Sequence, residues 1–127
     1  MAHEITWDDA RVTVRYFEIP NDSELICVVV GIQGDERFDS TYQALHDFSE
    51  CEGISYHPLT IGEIVAMNIE AAVSNKRLRI AVVSENPDVK KMFNYFDDFG
   101  QNPFVTRLFP CRAEADAWLD GRASPAA

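Results

Sequence analysis

The stretch with the densest set of chemically capable side chains is LHDFSECEGISYHPLTIGE, residues 45–63. It combines two histidines and one cysteine with several carboxylates and hydroxyl groups. These residue types can bind a metal, act as nucleophile or base, accept a phosphate group, or satisfy the backbone groups at the start of a helix. Spacing, and the elements that position each side chain, decide between these uses.

Metal binding and catalysis are not favoured by the spacing. His46 and His57 flank Cys51, but zinc sites need three or four converging ligands at recognisable spacings. Cys51 and Ser55 lack the sequence of a nucleophile elbow, and the carboxylates beside Cys51 oppose formation of its thiolate. We therefore predict no catalytic residue, no metal ligand and no cofactor. Hydrolase or metal-assisted chemistry using Asp47, His46 or His57 is the least favoured hypothesis.

Asp47 and Ser49 belong to a predicted strand, TYQALHDFS. Asp47 is expected at the carboxyl end of this strand, where open α/β sheets form ligand crevices. Short polar side chains at such places more often accept hydrogen bonds from their own loop. We expect Asp47 and Ser49 to brace the strand end, with a ligand-binding loop as the alternative.

Ser55 and Thr60 precede or begin the next predicted helix. Thr60 is expected to cap this helix, with Glu63 completing a capping box. A phosphate near a helix N-terminus gains from the helix dipole and from free backbone N–H groups, so Ser55 and Thr60 are the candidates for a phosphorylation switch. The nearby carboxylates oppose a phosphate there. Capping, with an exposed loop before Thr60, is the favoured interpretation.

Asn68 falls within the apolar arc of the same helix. A buried amide without a hydrogen-bond partner costs about 1–3 kcal/mol, so Asn68 needs one. An internal carbonyl or a buried water is the favoured partner, because buried polar groups are generally satisfied internally. The alternative is that Asn68 lines a pocket together with apolar residues of the second and third helices.

Composition and charge narrow the class of protein. The 127 residues include 11 basic and 21 acidic ones, for a formal net charge of −10, which disfavours binding to nucleic acid and to anionic membranes. No apolar run is long enough to span a membrane, and the first residues lack the apolar core of a signal peptide. We expect a cytoplasmic protein without stable membrane association, whose three widely spaced cysteines are reduced.

The first half of the chain begins with the segments ITW, DDAR and VTVRYF, which predict an antiparallel hairpin. The following run, LICVVVGI, has the β-branched content of a strand. Asn21 as N-cap, with Glu24 three residues later, nevertheless favours a helix over residues 21–34. The strand containing Asp47 and the helix beginning at Thr60 come next.

The second half alternates strands and helices. RLRIAVVS predicts an interior parallel strand and PFVTRLFP a short one. Asn86 is expected to cap a helix that ends at Gly100. The core side of this helix is expected to comprise Val89, Met92, Phe93, Phe96 and Phe99. The last helix, RAEADAWL, is expected to pack through Ala113, Ala117 and Trp118.

The order β-β-α-β-α-β-α-β-α predicts an α/β fold. Its mixed sheet is expected to have about five strands, an antiparallel N-terminal hairpin followed by mostly parallel strands, with about four amphipathic helices connected by right-handed crossovers. The length fits a single domain spanning 1–127, with a core over residues 4–120 and a polar tail at 121–127.

The segments GDERFDSTYQALHDFSEC, RLRIAVVSENPDVKKMF and VTRLFPCRAEADAWL occur in this order and resemble the SpoIIAA-like group of STAS domains over residues 4–120. The resemblance implies a mixed sheet packed with amphipathic helices, no catalysis, and contact with other proteins. It also implies a phosphorylated serine in a DSSGL-like turn after the third strand. This chain has FSECEGISYHPLT there instead, so Ser55 and Thr60 lie nearest to that position without matching it.

The leading hypothesis is therefore a non-enzymatic STAS-like binding or regulatory module that contacts another protein, or a second copy of itself through helix faces. The aromatic residues of the third helix are expected mainly in the core, but Tyr95 is expected to point away from Phe96, where it could anchor a partner or a dimer contact. The alternative is a small-molecule or lipid-binding domain of the STAS or CRAL-TRIO type, with an apolar pocket beside Asn68.

Overall fold

The structure, a computed structural model, describes residues 3–121. Of the predicted tail, residues 122–127 lie outside the described part. Within the described part the elements follow the predicted order, and a short 3-10 helix, Phe38–Ser40, precedes the third strand. The strands are β1 (His3–Asp8), β2 (Arg11–Glu18), β3 (Gln43–Cys51), β4 (Arg79–Val83) and β5 (Val105–Phe109). The helices are α1 (Asp22–Gln33), α2 (Pro58–Ala71), α3 (Pro87–Asp98) and α4 (Arg112–Leu119).

The strands form one sheet in the order β1-β2-β3-β4-β5. β1 and β2 are antiparallel, and each later strand adds in parallel to its predecessor. Because successive parallel strands are added in one direction through crossovers of one hand, the three connecting helices lie on the same face. The predicted fold class is confirmed: a five-stranded mixed sheet with four helices.

The two faces of the sheet carry separate cores. Side chains of α1 and α3, including Leu25, Val28 and Val89, pack against strand residues such as Val14 and Phe48 on one face. The opposite face packs α4 against the sheet through a smaller cluster. That cluster comprises Leu45, Ala81, Val83, Phe109, Ala115, Trp118 and Leu119. Alternation along β3 therefore sends neighbouring residues to different helices.

The predicted helix over residues 21–34 is confirmed as α1 despite its valine run. Asn21 is the N-cap, and its side-chain oxygen accepts a hydrogen bond from the backbone N–H of Glu24 at 3.0 Å. Leu25, Val28 and Ile32 are buried on one side of the helix. Capping and the need for a crossover between two parallel strands outweigh β-propensity here.

The predicted start of α2 is wrong. The helix begins at Pro58, and His57 is its N-cap, with Nδ1 accepting a hydrogen bond from the backbone N–H of Leu59 at 3.1 Å. Proline fits the first helical position because its missing N–H would be unpaired there in any case. Thr60 therefore lies inside the first turn with its side chain buried, and no capping box forms at Thr60 and Glu63.

Two details of the last helices also differ from the prediction. Asn86 caps α3 as expected, but the helix ends at Asp98, and Phe99 is 40% exposed rather than packed in the core. In α4 the buried alanine is Ala115, whereas Ala113 is exposed. An eight-residue helix buries only a narrow side, and Trp118 fixes which side that is.

Candidate functional site

Asp47 lies within β3 rather than at its end. β3 continues past Asp47 to Cys51 because β2 extends far enough to pair with it, Glu18 opposite Cys51. The buried Asp47 faces α4, where the Nη1 atom of Arg112 lies 3.6 Å from its Oδ2 atom. Its Oδ1 atom accepts a hydrogen bond from the backbone N–H of Ser49 at 2.9 Å, so Asp47 braces the backbone inside β3 and not the end of the strand.

Ser55 and Thr60 differ in accessibility. The Ser55 side chain is exposed, and its backbone N–H donates to the carbonyl of Pro20 at 2.9 Å, which ties the loop to the segment before α1. Thr60 is buried within the first turn of α2. A phosphorylation switch stays a prediction, and of the two candidates only Ser55 presents its hydroxyl group to solvent.

The structure separates the two histidines and the cysteine of the opening stretch. His46 points into the three-helix side of the sheet, His57 caps α2, and Cys51 is half-buried at the end of β3. Burial, with the negative charges of Glu24, Asp47 and Glu50, raises the pKa of the Cys51 thiol to about 12. Within residues 3–121, no group of three or more possible ligands could hold a metal ion.

A cavity of about 110 Å³ lies between the sheet and the helices α1, α2 and α3. Its walls are almost entirely apolar. They include Leu25 and Ile32 of α1, Ile61 and Ile64 of α2, Met92, Phe93 and Phe96 of α3, and Ala44, Phe48, Ile80 and Val82 of the sheet. The cavity is open on part of its circumference, and its α3 wall is incompletely buried because the three large apolar side chains of that helix are only half-buried.

Two polar side chains of the sheet, Tyr16 and His46, meet at this cavity. The Tyr16 hydroxyl lies 2.9 Å from the Nδ1 atom of His46. Burial lowers the pKa of His46 to about 4, so its imidazole is neutral near pH 7. Burial, and next the charge of Glu24, raise the pKa of Tyr16, so its phenol keeps its proton. Both groups are therefore neutral hydrogen-bonding groups at neutral pH.

Asn68 also lines the cavity, and its amide is satisfied internally. The Oδ1 atom accepts a hydrogen bond from Gln33 of α1 at 2.9 Å, and the Nδ2 atom donates to Asn102 at 3.0 Å. Asn102 in turn donates to the hydroxyl oxygen of Thr106 at 2.9 Å. This chain of side chains joins α1, α2 and β5. The sequence pointed to the need for a partner but not to Gln33 or Asn102, which are distant along the chain.

The outer side of α2 carries a second apolar set, separate from the arc that includes Asn68. We call it the α2 stripe: Leu59, Gly62, Ala66, Ile69 and Val73. Leu59, Ile69 and Val73 are 72%, 47% and 81% exposed. The alternating spacing of three and four residues puts them on one side of the helix and the adjoining turn. The sequence shows this spacing, so it is the signal from which the exposed apolar side of α2 can be predicted.

The α2 stripe continues onto α3 through two aromatic rings. A Cβ atom at Gly62 would lie 3.4 Å from the ring of Phe99, which shows that this ring lies against the outer side of α2. The rings of Phe99 and Tyr95 are 6.3 Å apart between centroids, and each residue is 40% exposed. The predicted exposure of Tyr95 is therefore confirmed.

Comparison with known proteins bears on the fold. No protein-family model matches the chain, and no curated protein matches it. A solved structure of the anti-sigma factor antagonist SpoIIAA in its unphosphorylated form aligns with 94% of this chain and 99% of its own, with a TM-score of 0.60 and 15% identity. A structure of the phosphorylated Bacillus cell fate determinant SpoIIAA aligns over 93% and 99%, with a TM-score of 0.58 and 12% identity.

Identities this low carry information about fold, and function must be argued from the site. In the described part of the chain no helix has the length and apolar character needed to cross a membrane. The chain has the SpoIIAA-like, or STAS-like, fold that the sequence resemblance implied.

Proposed function

We propose that this protein is a non-enzymatic binding module that recognises another protein through the α2 stripe. The observation that carries the proposal is the continuous exposed apolar surface from Leu59 to Val73. Isolated exposed apolar residues are ordinary, but a contiguous set with helical spacing is typical of a surface that packs against another helix. The aromatic rings at its edge are of the type that anchors protein interfaces.

The charges beside the stripe indicate the chemistry of the partner. Glu63 and Glu70 are exposed on one flank of the stripe, and Asp97 and Asp98 are exposed beside Phe99 at the end of α3. A partner with an apolar helical face bordered by Lys or Arg would complement this surface. A second copy of the chain would bring carboxylates against carboxylates in a molecule of net charge −10, so we favour a different protein over a homodimer.

Two further observations support a binding role without chemistry. The thiol of Cys51 has a raised pKa, which disfavours a nucleophilic thiolate. His46 is engaged with Tyr16, and His57 caps a helix. One solved structure with a similar fold is that of an anti-sigma factor antagonist, a protein named for its action on another protein. That name supports a protein partner for this chain without specifying which one.

Site-specific photo-crosslinking in the native host tests the proposal. A photoreactive amino acid is placed at Val73 in the stripe or, as the matched control, at Val30, an exposed valine of α1 outside the stripe. We expect a product that forms from position 73 but not from position 30, and whose linked peptide has an apolar helical face bordered by Lys or Arg.

Substitutions supply the second arm of the test. Val73→Glu should weaken binding of the captured partner by more than about fivefold, because it places a carboxylate without a partner in an apolar contact. Val30→Glu should leave binding unchanged. A crosslink from position 73 to a second copy of this chain, with a dimer in sedimentation analysis, would establish self-association instead. Identical products from both positions would contradict the proposed surface.

A further inference from the structure

The cavity under the three helices differs from an ordinary packing defect in size. Native interiors leave few voids larger than a water molecule. Here the cavity measures about 110 Å³, and an engineered apolar cavity of about 150 Å³ is large enough to bind benzene. The cavity has about three quarters of that volume and is open on one side, so it fits a single ring whose substituent extends toward the opening.

His46 is one of the few polar side chains that line this mostly apolar space, and its Nε2 atom is the polar atom of interest. The Nδ1 atom of the same ring is paired with the Tyr16 hydroxyl at 2.9 Å, whereas Nε2 makes no hydrogen bond to the described residues. In residues 3–121, every buried side-chain nitrogen or oxygen has a hydrogen-bond partner. Nε2 is therefore not sealed in the core, and the cavity that His46 lines is the space from which it is accessible.

The hydrogen-bond roles of this pair follow from the inventory of donors and acceptors. The Tyr16 hydroxyl is buried, and His46 is its hydrogen-bond partner, so donation to Nδ1 satisfies the phenolic proton. A neutral imidazole that accepts at Nδ1 carries its proton on Nε2. The cavity wall thus includes an N–H donor at His46, in addition to the Gln33 and Asn68 amides, which bond to each other.

We propose that the cavity binds a small, uncharged, largely apolar molecule of about the size of a substituted benzene ring, with one oxygen that accepts a hydrogen bond from His46 Nε2. A charged ligand would be disfavoured because no ionised side chain lines the cavity to pair with it. The Gln33–Asn68 pair lies on another part of the wall, and its bond joins α1 to α2. This inference does not rest on the proposed protein contact, which concerns the opposite side of α2.

The route of entry is the side covered by α3. Met92, Phe93 and Phe96 line the cavity while remaining only half-buried, and Val89 is the single fully buried residue of that helix. A helix with one fully buried side chain, whose other core contacts are half-buried, can shift at lower cost than α1, which buries Leu25, Val28 and Ile32. The ligand therefore reaches His46 between α3 and the neighbouring α2.

Two probes of nearly equal shape test the inference: acetophenone, and α-methylstyrene, in which a CH₂ group replaces the carbonyl oxygen. Each is titrated into protein with labelled Ile, Leu and Val methyl groups. We expect both to shift the methyl signals of Ile64, Ile80 and Val82, which line the cavity, and to leave Leu45 and Val83 on the other face unchanged. If neither probe shifts the cavity methyl groups at millimolar concentration, the inference is wrong.

The role of His46 is read from a ratio of affinities. His46→Phe should weaken acetophenone about fivefold relative to α-methylstyrene, which corresponds to one neutral hydrogen bond of about 1 kcal/mol. Because this variant leaves the Tyr16 hydroxyl unpaired, the double variant Y16F/H46F repeats the measurement with both partners replaced by apolar rings. An unchanged ratio in both variants would refute the hydrogen bond to Nε2.

The location of the site is tested with a matched pair of substitutions. Ala44→Leu fills the cavity from β3 and should weaken both probes more than about tenfold, since the added atoms occupy the ligand volume. Ala113→Leu makes the same change at an exposed position on α4 and should leave both affinities unchanged. Equal affinity in the two variants would mean that the probes bind elsewhere, and the inference would fail.

Discussion

Acidification tests the buried imidazole of His46 directly. An ordinary histidine has a pKa of 6.5, and burial lowers the pKa of His46 to about 4. Between these two values the unfolded chain binds a proton at this residue and the native protein does not. The stability that the neutral imidazole supports is therefore fully present above pH 6.5 and is lost as the pH falls through this window toward 4.

The expected magnitude follows from the width of this window. A separation of about 2.5 pH units corresponds to about 3 kcal/mol, since each unit is about 1.4 kcal/mol. The free energy of unfolding attributable to His46 should thus fall by about 3 kcal/mol between pH 7 and pH 4. This is a large part of the total stability of a small domain, so partial unfolding near pH 4 is expected.

Urea denaturation at a series of pH values measures this effect as the difference between the wild type and Y16F/H46F. Carboxylates such as Asp35, whose pKa is lowered to about 2 by its hydrogen bonds with Arg37, are present in both proteins and cancel in the difference. His57→Asn, which removes an exposed imidazole but keeps a good N-cap, is the control. Parallel stability curves for the wild type and Y16F/H46F from pH 7 to pH 4 would refute the reasoning.

Three further predictions concern stability and thiol reactivity. Trp118→Ala should cost about 3–5 kcal/mol in urea denaturation because the ring is buried, whereas Phe96→Ala should cost less than about 2 kcal/mol because that ring is half-buried beside a cavity; equal costs would contradict the burial argument. Asn86→Ala should cost about 1 kcal/mol through loss of two hydrogen bonds at the start of α3, while Asn94→Ala, at an exposed position of the same helix, should cost nearly nothing; similar values would exclude capping as the cause. At pH 8 Cys51 should be the slowest of the three cysteines to react with iodoacetamide, measured by mass spectrometry of the labelled peptides, because its thiol pKa is raised and the other two are exposed; equal rates would contradict this order.

Local signals along the chain were sufficient for the order of the elements. The N-cap at Asn21 decided the structure of the valine run, and Asn86 followed by Pro87 marked the start of α3. The predicted start of α2 at Thr60 is wrong for two reasons. Histidine is not a favoured N-cap residue, and Thr60 with Glu63 has the spacing of a capping box. Pro58, which fits the first helical position, is the better signal for the start of the helix. Capping patterns of a few residues therefore predict a helix start correctly where only one such pattern is present, and fail where two overlap.

The parts that sequence could not supply depend on contacts between distant residues. The need of Asn68 for a partner was apparent, but Gln33 and Asn102 are 35 and 34 positions away and have no pattern that pairs them. Alternation along β3 predicts that His46 and Asp47 point to opposite faces of the sheet. It cannot predict that Tyr16 of the neighbouring strand is the hydrogen-bond partner of His46. Cavity volume likewise depends on how well three helices fill the space above one sheet, which no local propensity encodes.

The proposed ligand cavity and the proposed protein-binding surface both involve α2. Its inner side, with Ile61, faces the cavity, and its outer side carries the α2 stripe. Gly62 and Phe99 join the two, because the ring at the end of α3 lies against the stripe while Phe96, one turn earlier, lines the cavity. If α3 shifts when a ligand enters, Phe99 shifts against Gly62, and the affinity for a protein partner changes by some factor. Thermodynamic linkage then requires the partner to change ligand affinity by the same factor, so measuring each affinity with and without the other binder determines whether one helix couples the two sites or only separates them.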